Sequence, residues 1–187
     1  NIIRGNSGAN RLNGGAGVDK LFGNAGNDVL IGGSGIDDMR GGTGNDRYSV
    51  DNSRDVIREG SNQGTDLVYS SVTYRASSNV ENLSLIGSGN INGTGNSSAN
   101  TIRGNSGANR LNGGAGADIL IGGAGDDTYI VDNSNDVVRE GSNQGTDLVS
   151  SSVTYAIRNN NVENLTLMGT TDINGSGNAS ANIIRGN

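Results

Sequence analysis

Aspartate recurs at one fixed place in a glycine-rich repeat. From Gly5 to Ser49 the chain reads as five consecutive nonapeptides with the frame G-[GN]-x-G-x-[DN]-x-U-x, where U is Leu, Met or Tyr, and three more run from Gly104 to Ile130. Position 6 of this frame carries Asp19, Asp28, Asp37, Asp46, Asp118 and Asp127. Carboxylate and backbone carbonyl oxygens are the ligands of hard cations, so this spacing indicates metal binding.

Each nonapeptide predicts one turn and one short strand. Gly at positions 1, 2 and 4 favours a turn, because Gly enters positive-φ conformations at little steric cost. The x-U-x segment that follows predicts a strand with one apolar side chain on one face. Two nonapeptides make an 18-residue coil, and the coils must stack because three residues cannot bury a face alone. The predicted interior is the row of U residues, namely Leu12, Leu21, Leu30, Met39, Tyr48, Leu111, Leu120 and Tyr129.

This stacking brings like charges together. Turns on the same side lie 18 residues apart, so we expect Asp19 over Asp37 and Asp28 over Asp46. Two carboxylates ~5 Å apart repel by about 3 kcal/mol at an effective dielectric constant of about 20. A cation between adjacent turns reverses the sign of the interaction, and flexible Gly turns favour Ca²⁺ over Mg²⁺, which requires stricter octahedral geometry. We therefore expect several calcium ions to be part of the fold.

A longer period divides the chain into unequal copies. Asn1–Gly17 matches Asn100–Gly116, and Gly41–Leu67 matches Gly122–Leu148. Further strands are predicted where β-branched and apolar residues alternate, at Leu67–Tyr74, Val80–Ile86, Leu148–Tyr155 and Val162–Met168. We expect one continuous solenoid that is a section of a longer array. The predicted divisions are a first copy over 1–99 (nonapeptides 5–49, spacer 50–99), a second over 100–181 (nonapeptides 104–130, spacer 131–181) and the start of a third over 182–187.

The composition excludes several classes of protein. The 187 residues include 33 Gly and no Pro, Cys, Trp or His, and the net charge is −6. Without Cys or His the chain has no disulfide, no thiol nucleophile and no imidazole ligand for a transition metal. The negative charge argues against binding to nucleic acid, which requires clustered Lys and Arg. No segment approaches the ~18 consecutive apolar residues of a membrane helix, so membrane insertion is not expected.

The nonapeptides GGAGVDKLF, GGSGIDDMR, GGTGNDRYS, GGAGADILI and GGAGDDTYI resemble the RTX (hemolysin-type) calcium-binding repeat. The resemblance implies an all-β fold, a parallel β-roll stacked from 18-residue coils with Ca²⁺ between the turns. It also implies a secreted bacterial protein, extracellular or at the cell surface, that leaves the cell by type I secretion and folds outside it.

The resemblance also implies which residues hold each ion: positions 2, 4 and 6 of one turn and positions 1, 3 and 6 of the next. Asp supplies carboxylate oxygen and the other positions supply backbone carbonyl oxygen. Two full sites are implied, Gly15, Gly17 and Asp19 with Gly32, Ser34 and Asp37, and Asn24, Gly26 and Asp28 with Gly41, Thr43 and Asp46.

Weaker sites are implied where Asn replaces Asp, because each such turn lacks one negative charge. These are Asn6, Gly8 and Asn10 with Gly23, Ala25 and Asp28, and Asn105, Gly107 and Asn109 with Gly122, Ala124 and Asp127. Asn100 and Asn182 depart from the pattern in the same way. Cap sites are implied at Gly33, Gly35 and Asp37 with Asp55, and at Gly114, Gly116 and Asp118 with Asp136, and the turn that ends at Asp118 also offers Gly113 and Ala115.

Three functions are compatible with the sequence. The leading one is a non-catalytic calcium-binding module that acts as a scaffold or spacer, is monomeric, and contacts neighbouring domains of a longer chain. The second is an adhesin segment that binds carbohydrate or another cell-surface ligand. Ice binding is disfavoured, because only Thr43 and Asn45 provide the outward Thr and Asn that a flat ice-binding face needs.

The third function is a polysaccharide-modifying enzyme. Such a site needs an acid, a base and charge stabilisation that converge in a groove. With no His or Cys, and with most acids assigned to metal or turns, we expect no enzyme activity from this chain. Glu59, Glu81, Glu140 and Glu163 occur as matched pairs in the two copies, and we interpret them as surface or turn residues.

Overall fold

The computed structural model describes residues 1–187 and consists of short β-strands without a helix. None of its elements is therefore a helix of the length and apolarity that crossing a membrane requires. The strands are β1 (Ile2–Arg4), β2 (Arg11–Ala16), β3 (Lys20–Ala25), β4 (Val29–Ser34), β5 (Asp38–Thr43), β6 (Arg47–Val50), β7 (Val56–Ile57), β8 (Leu67–Ser70), β9 (Tyr74–Arg75), β10 (Asn82–Leu85), β11 (Gly93–Thr94), β12 (Thr101–Arg103), β13 (Arg110–Asn112), β14 (Ile119–Ile121), β15 (Thr128–Val131), β16 (Val137–Arg139), β17 (Leu148–Ser151), β18 (Tyr155–Ala156), β19 (Asn164–Leu167), β20 (Gly175–Ser176) and β21 (Ile183–Arg185).

Alternate strands lie on opposite sides of a solenoid. The even-numbered strands β2 to β16 form one eight-stranded sheet, and the odd-numbered strands form a four-stranded sheet (β1 to β7) and a seven-stranded sheet (β9 to β21). Every pair is parallel, and within the nonapeptides the register is 18 residues, as in Leu12 opposite Leu30 and Leu30 opposite Tyr48. With two strands per coil, the 21 strands make about ten coils. The predicted parallel β-solenoid is confirmed.

The core is a narrow stack of apolar side chains between the two sides. Each U residue of the nonapeptides is buried, and Leu21, Leu30, Met39 and Leu120 are 0% exposed. The row continues through the spacers in one cluster of 25 buried residues. The predicted interior is therefore confirmed. Strands β2 to β5 each contribute one core side chain, whereas strands such as β10 contribute two, Leu83 and Leu85.

Of the four strands predicted in the spacers, two are each divided in the structure and the other two are shorter, as β10 and β19. The segment Leu67–Tyr74 breaks into β8 and β9, since the hydroxyl of Ser70 donates to the Val72 carbonyl (2.8 Å) and accepts from the Val72 N–H (3.3 Å). Ser151 makes the same pair of contacts with Val153 in the second copy. This serine-closed corner carries the chain to the opposite sheet, so the prediction of one continuous strand in each copy was wrong.

The two copies are rotated with respect to each other about the solenoid axis. Tyr48 lies in β6 of the eight-stranded sheet, whereas its equivalent Tyr129 lies in β15 of the seven-stranded sheet. The two residues are 81 positions apart (129 − 48), which is four and a half 18-residue coils. An extra half coil places equivalent turns of the two copies on opposite edges of the solenoid.

Candidate metal centre

The position-6 aspartates form buried columns along the edges of the solenoid. We call these the aspartate columns: Asp19, Asp37 and Asp55; Asp28, Asp46 and Asp66; Asp118 and Asp136; Asp127 and Asp147. Within a column, each backbone N–H donates to Oδ1 of the next carboxylate. The N–H of Asp19 lies 2.8 Å from Oδ1 of Asp37, and that of Asp28 lies 2.7 Å from Oδ1 of Asp46. One oxygen of each carboxylate therefore joins two coils.

The second carboxylate oxygen has no partner in most of these residues. Oδ2 is buried without a hydrogen bond in Asp19, Asp28, Asp37, Asp46, Asp118 and Asp127. Removing a charged oxygen from water without compensation is costly. A series of unpaired, buried carboxylate oxygens at one repeat position fits a hard cation. The predicted metal is therefore compatible with the residues that line this edge.

Carbonyl oxygens of the next coil converge on the unpaired Oδ2 atoms. A Cβ built on Gly14 would lie 2.7 Å from Oδ2 of Asp19 and 2.5 Å from the carbonyl of Gly32, so these two oxygens are close together. A Cβ built on Gly23 would likewise collide with Oδ2 of Asp28 and with the carbonyl of Gly41. Position 1 has to be Gly because a Cβ atom there would collide with these oxygen atoms. In the turns that contain Asn, the converging pairs are Asn10 Oδ1 with the Gly23 carbonyl, Asn100 Oδ1 with the Gly113 carbonyl and Asn109 Oδ1 with the Gly122 carbonyl.

The carbonyls at positions 2 and 4 also face the neighbouring turn. A Cβ on Gly33 (φ +86°) would collide with the carbonyl of Gly15, and a Cβ on Gly35 would collide with that of Gly17. Five more carbonyls point at the next coil in the same way. They are Gly8 facing Gly26, Asn24 facing Gly42, Gly26 facing Gly44, Asn105 facing Gly123 and Gly107 facing Gly125. The structure thus places these predicted ligands between successive turns.

Position 3 contributes differently. The carbonyls of Ser34 and Thr43 accept hydrogen bonds from the N–H groups of Gly17 and Gly26, both at 2.8 Å. Each of these carbonyls keeps one lone pair for a cation. Ala25 lies in register with Thr43, and Ala115 and Ala124 occupy the same repeat position in the second copy.

The turns with Asn at position 6 are closed by hydrogen bonds of the Asn amide. Nδ2 of Asn109 donates to the Ile91 carbonyl (2.6 Å) and to Oδ1 of Asn105 (2.9 Å). Nδ2 of Asn100 donates to the Val80 carbonyl (2.8 Å), Nδ2 of Asn182 to the Val162 carbonyl (3.0 Å) and Nδ2 of Asn10 to Oδ1 of Asn6 (3.2 Å). None of these Asn side chains leaves a buried polar atom unpaired, so these turns need no metal to pair their polar atoms.

The predicted cap sites have one free carboxylate each. The N–H of Asp37 donates to Oδ1 of Asp55 (3.0 Å), but Oδ2 of Asp55 accepts from the N–H of Asn52 (3.3 Å). The amide of Asn52 also donates to the carbonyl of Gly35, one of the predicted ligands. In the second copy, Asp118 and Asp136 are joined in the same way, and Oδ2 of Asp136 accepts from the N–H of Asn133 (3.2 Å). Oxygens that are already paired make these caps poorer cation sites than the full ones.

Comparison with known families agrees with this geometry. The family model described as the RTX calcium-binding nonapeptide repeat, in four copies, matches residues 1–30, 22–57 and 94–129. The chain is an RTX calcium-binding repeat protein. RTX nonapeptides bind Ca²⁺, which confirms the predicted cofactor. No curated protein matches this RTX chain.

The structure of the RTX chain reveals two clusters that the sequence analysis missed. Asp46, Glu59 and Asp66 each place a carboxylate oxygen within 4.8 Å of the other two, and Asp127, Glu140 and Asp147 do the same in the second copy. The interpretation of Glu140 as a surface residue was wrong, because it is 8% exposed, and Glu59 is half-buried. Both residues lie where a turn begins, which agrees with the alternative interpretation as turn residues. The signal was present in the sequence: in both copies the Glu follows the position-6 Asp by 13 residues (59 − 46 and 140 − 127).

Burial raises the pKa of the clustered carboxyl groups. The pKa of Glu59 rises to about 8 and that of Asp46 to about 6, in both cases first through desolvation by burial and then through neighbouring carboxylates. In the second copy the same causes raise the pKa of Glu140 to about 8 and that of Asp127 to about 7. Burial also raises the pKa of Asp37, Asp55 and Asp136. Without a cation, each of these carboxyl groups takes up a proton at a higher pH than a solvent-exposed carboxyl group does.

Proposed function

We propose that this RTX chain is a non-catalytic structural module that folds when calcium binds between its coils outside the cell, and that it acts as a scaffold or spacer. The observation that carries the proposal is the set of six buried Oδ2 atoms without a partner along the aspartate columns. The thin core cannot easily compensate for stacked charges in every coil. Calcium supplies the missing interaction, so the ordered state depends on it.

The ions would occupy the gaps between successive turns. In the first full site, Oδ2 of Asp19 and the Gly32 carbonyl converge, and the carbonyls of Gly15 and Gly17 face the next turn. The second site is built in the same way from Asp28, Gly41, Asn24 and Gly26. Each of these two sets combines a free Oδ2 with backbone carbonyls from both turns. We therefore propose them as the strongest of the sites implied by the repeat pattern.

The surface of the molecule supports a non-catalytic role. Its four grooves are lined by apolar, hydroxyl, amide and Arg side chains without an Asp or Glu among them. A pair of carboxyl groups across a groove is the usual requirement for cleaving a polysaccharide. The acids of this chain are instead concentrated in the buried columns, where they serve the fold.

An extracellular location follows from the dependence on calcium. Secretion is typical of RTX proteins. Cytosolic calcium is too low to occupy sites of the extracellular class, which bind with dissociation constants of about 10⁻⁴ to 10⁻³ M. The chain would leave the cell unfolded and fold outside, where it would hold neighbouring domains of a longer protein apart. The division into copies 1–99, 100–181 and 182–187 stays a prediction.

A calcium titration followed by far-UV circular dichroism tests the proposal. The chain is prepared in EGTA and titrated with Ca²⁺, and a parallel titration with Mg²⁺ serves as the control. We expect a coil-to-β transition between about 0.1 and 10 mM free Ca²⁺, reversed by EGTA and not produced by Mg²⁺. An unchanged β spectrum in excess chelator would overturn the proposal.

A further inference from the structure

We propose that Glu59 and Glu140 each complete a second kind of calcium site, built from side chains, at the end of each nonapeptide block. We call these the glutamate sites: Asp46, Glu59 and Asp66 with the Tyr48 hydroxyl, and Asp127, Glu140 and Asp147 with the Tyr129 hydroxyl. The inference rests on the proposed calcium-dependent folding and identifies residues for it that lie outside the repeat pattern.

The spacing of the oxygens suits one calcium ion. Ca²⁺ binds oxygen at about 2.3–2.6 Å, so ligands on opposite sides of an ion lie up to about 5 Å apart. The three carboxylates of each glutamate site offer oxygens within 4.8 Å of one another. A single ion can therefore contact all three. Mg²⁺ is less suited, because it binds at about 2.0–2.1 Å and demands near-ideal octahedral geometry.

Independent support comes from polar atoms that have no partner. In the second copy, Oδ2 of Asp127, Oε1 of Glu140 and the Tyr129 hydroxyl are all buried and unpaired. A Cβ built on Gly122 would collide with all three atoms, so they lie close to one another. Tyr129 is 0% exposed. A hydroxyl that is fully buried, unpaired and aimed into a carboxylate cluster indicates a missing ligand.

The first copy shows the same arrangement with one difference. Oδ2 of Asp46 and one carboxylate oxygen of Glu59 are buried and unpaired. The Tyr48 hydroxyl donates a hydrogen bond to the other oxygen of Glu59, and the N–H of Gly41 donates to that same oxygen at 3.2 Å. The Tyr therefore orients the Glu toward the two aspartates, and the unpaired oxygens remain available to a cation.

The glutamate occupies the place that a backbone carbonyl takes elsewhere. In the next coil, the carbonyl of Gly32 lies next to Gly14 and the carbonyl of Gly41 lies next to Gly23. The next coil over Gly41 begins with Glu59, 18 residues on, and its turn is two residues longer, since Asp66 follows Asp46 by 20 residues. A longer turn changes the course of the backbone at the block's end, and the Glu side chain supplies an oxygen there.

No basic residue neutralises either cluster. The ion pairs of the chain involve only the amino terminus, Arg40 and Arg58, with Asp19 and Asp38 as the acids. The charges must then be balanced by a divalent cation or by bound protons. These alternatives differ in a measurable way, because replacing Glu by Gln removes the negative charge that a cation needs but mimics a protonated acid.

Native mass spectrometry and isothermal titration calorimetry on the full chain test the proposal, with Ca²⁺ as the probe. Glu59→Gln and Glu140→Gln should each abolish one tightly bound ion, or weaken its binding by about tenfold or more, and the double variant should lose two. The exposed Asp172→Asn is the matched control and should bind as the wild type does. Circular dichroism at saturating Ca²⁺ shows whether each variant has folded.

The outcomes separate this inference from the proposed function. If the wild type binds no calcium, the proposed function fails. If the wild type binds calcium and the Gln variants bind the same number of ions with the same affinity, the glutamate sites are overturned. Greater stability of these variants in EGTA would then indicate bound protons in place of a cation.

Should the Gln variants not fold, Tyr129→Phe provides a second test, because it removes only a hydroxyl. This variant should bind one calcium ion severalfold more weakly. Unchanged binding by Tyr129→Phe would contradict the proposal.

Discussion

The backbone N–H of Asp28 donates a 2.7 Å hydrogen bond to Oδ1 of Asp46, one coil further along the solenoid. Oδ2 of the same Asp46 is buried without a partner. One side chain thus has two tasks: Oδ1 fixes the register between coils and Oδ2 is left for a cation. Because the contact repeats along each aspartate column, we expect metal binding and strand register to be coupled in every nonapeptide that carries Asp.

Replacing Asp28 by Asn should weaken calcium-induced folding more than replacing Asp118 by Asn. Asp28 lies inside the longer block, between Asn10 and Asp46, and would serve the two sites on either side of it. Asn keeps an oxygen for the Asn10 N–H but replaces the unpaired, charged oxygen by an NH2 group. The midpoint of a calcium titration by circular dichroism measures the effect, with Asp172→Asn as the control. Equal midpoints for Asp28→Asn and the wild type would argue against calcium at this position.

Asn109→Asp should convert a closed turn into a calcium-dependent one. The substitution removes the amide that donates to the Ile91 carbonyl and to Asn105, and places a carboxylate against those oxygens. We expect the calcium-free state to lose about 1–3 kcal/mol, whereas the affinity for calcium rises. Thermal unfolding in EGTA and in saturating Ca²⁺ measures both changes. A variant that is destabilised equally in both conditions would show that no ion enters this turn.

Two glycines at position 2, Gly15 and Gly33, are expected to differ in their tolerance of Ala. Gly15 and Gly33 have nearly the same φ, +88° and +86°, but a Cβ on Gly15 meets nothing within 4 Å and one on Gly33 meets the Gly15 carbonyl. Gly15→Ala should cost about 1–2 kcal/mol of stability through its backbone conformation alone. Gly33→Ala should cost about 1–3 kcal/mol more, because coils must also separate. Urea unfolding in saturating Ca²⁺ compares the two, and equal losses would contradict the close approach of successive turns.

The stability of the calcium-free protein should fall as the pH rises. Burial raises the pKa of Glu59 and Glu140 to about 8 and those of Asp66 and Asp147 to about 6 in the folded state. The folded state therefore binds more protons than the unfolded chain, and the resulting stability, fully present below about pH 4, is lost between about pH 4 and pH 8.

Calcium affinity should change in the opposite direction, because the ion competes with those protons. For each proton displaced, the affinity rises by about tenfold per pH unit within that window. Circular dichroism of protein depleted on a chelating resin, and calcium titrations of the same samples at about pH 5 and pH 8, measure the two trends. Calcium binding that is independent of pH would rule out the buried carboxylates as ligands.

The repeat period was sufficient to predict the architecture. A nonapeptide with Gly at three turn positions and one apolar strand residue has few ways to bury that residue, so the stacking of Leu12, Leu30 and Tyr48 in one row follows from the spacing. The aspartate columns follow from the same period. Sequence reasoning succeeded here because each local choice repeats, and a repeated choice restricts the fold far more than a single one.

The parts that the sequence did not predict depend on departures from the period. The corner at Ser70 arises from a hydroxyl that bonds to Val72 two residues later, and alternation of apolar residues gives no sign of it. The approach of Glu59 to Asp46 depends on the course of a turn that is two residues longer than the others. The 13-residue interval between Asp46 and Glu59 recurs in the second copy, but the contact between the two residues depends on the course of that turn in three dimensions.

Hydrogen–deuterium exchange of residues 11–49, measured in saturating Ca²⁺ and in EGTA, tests most directly whether cations hold the coils together. The amides of Asp19, Asp28 and Asp37 are the informative ones, because each donates to the carboxylate of the next coil. If calcium stabilises the columns, these amides are protected in Ca²⁺ and exchange rapidly in EGTA. Equal, strong protection in both conditions would contradict the account, because the thin apolar core would then be sufficient to hold the coils together.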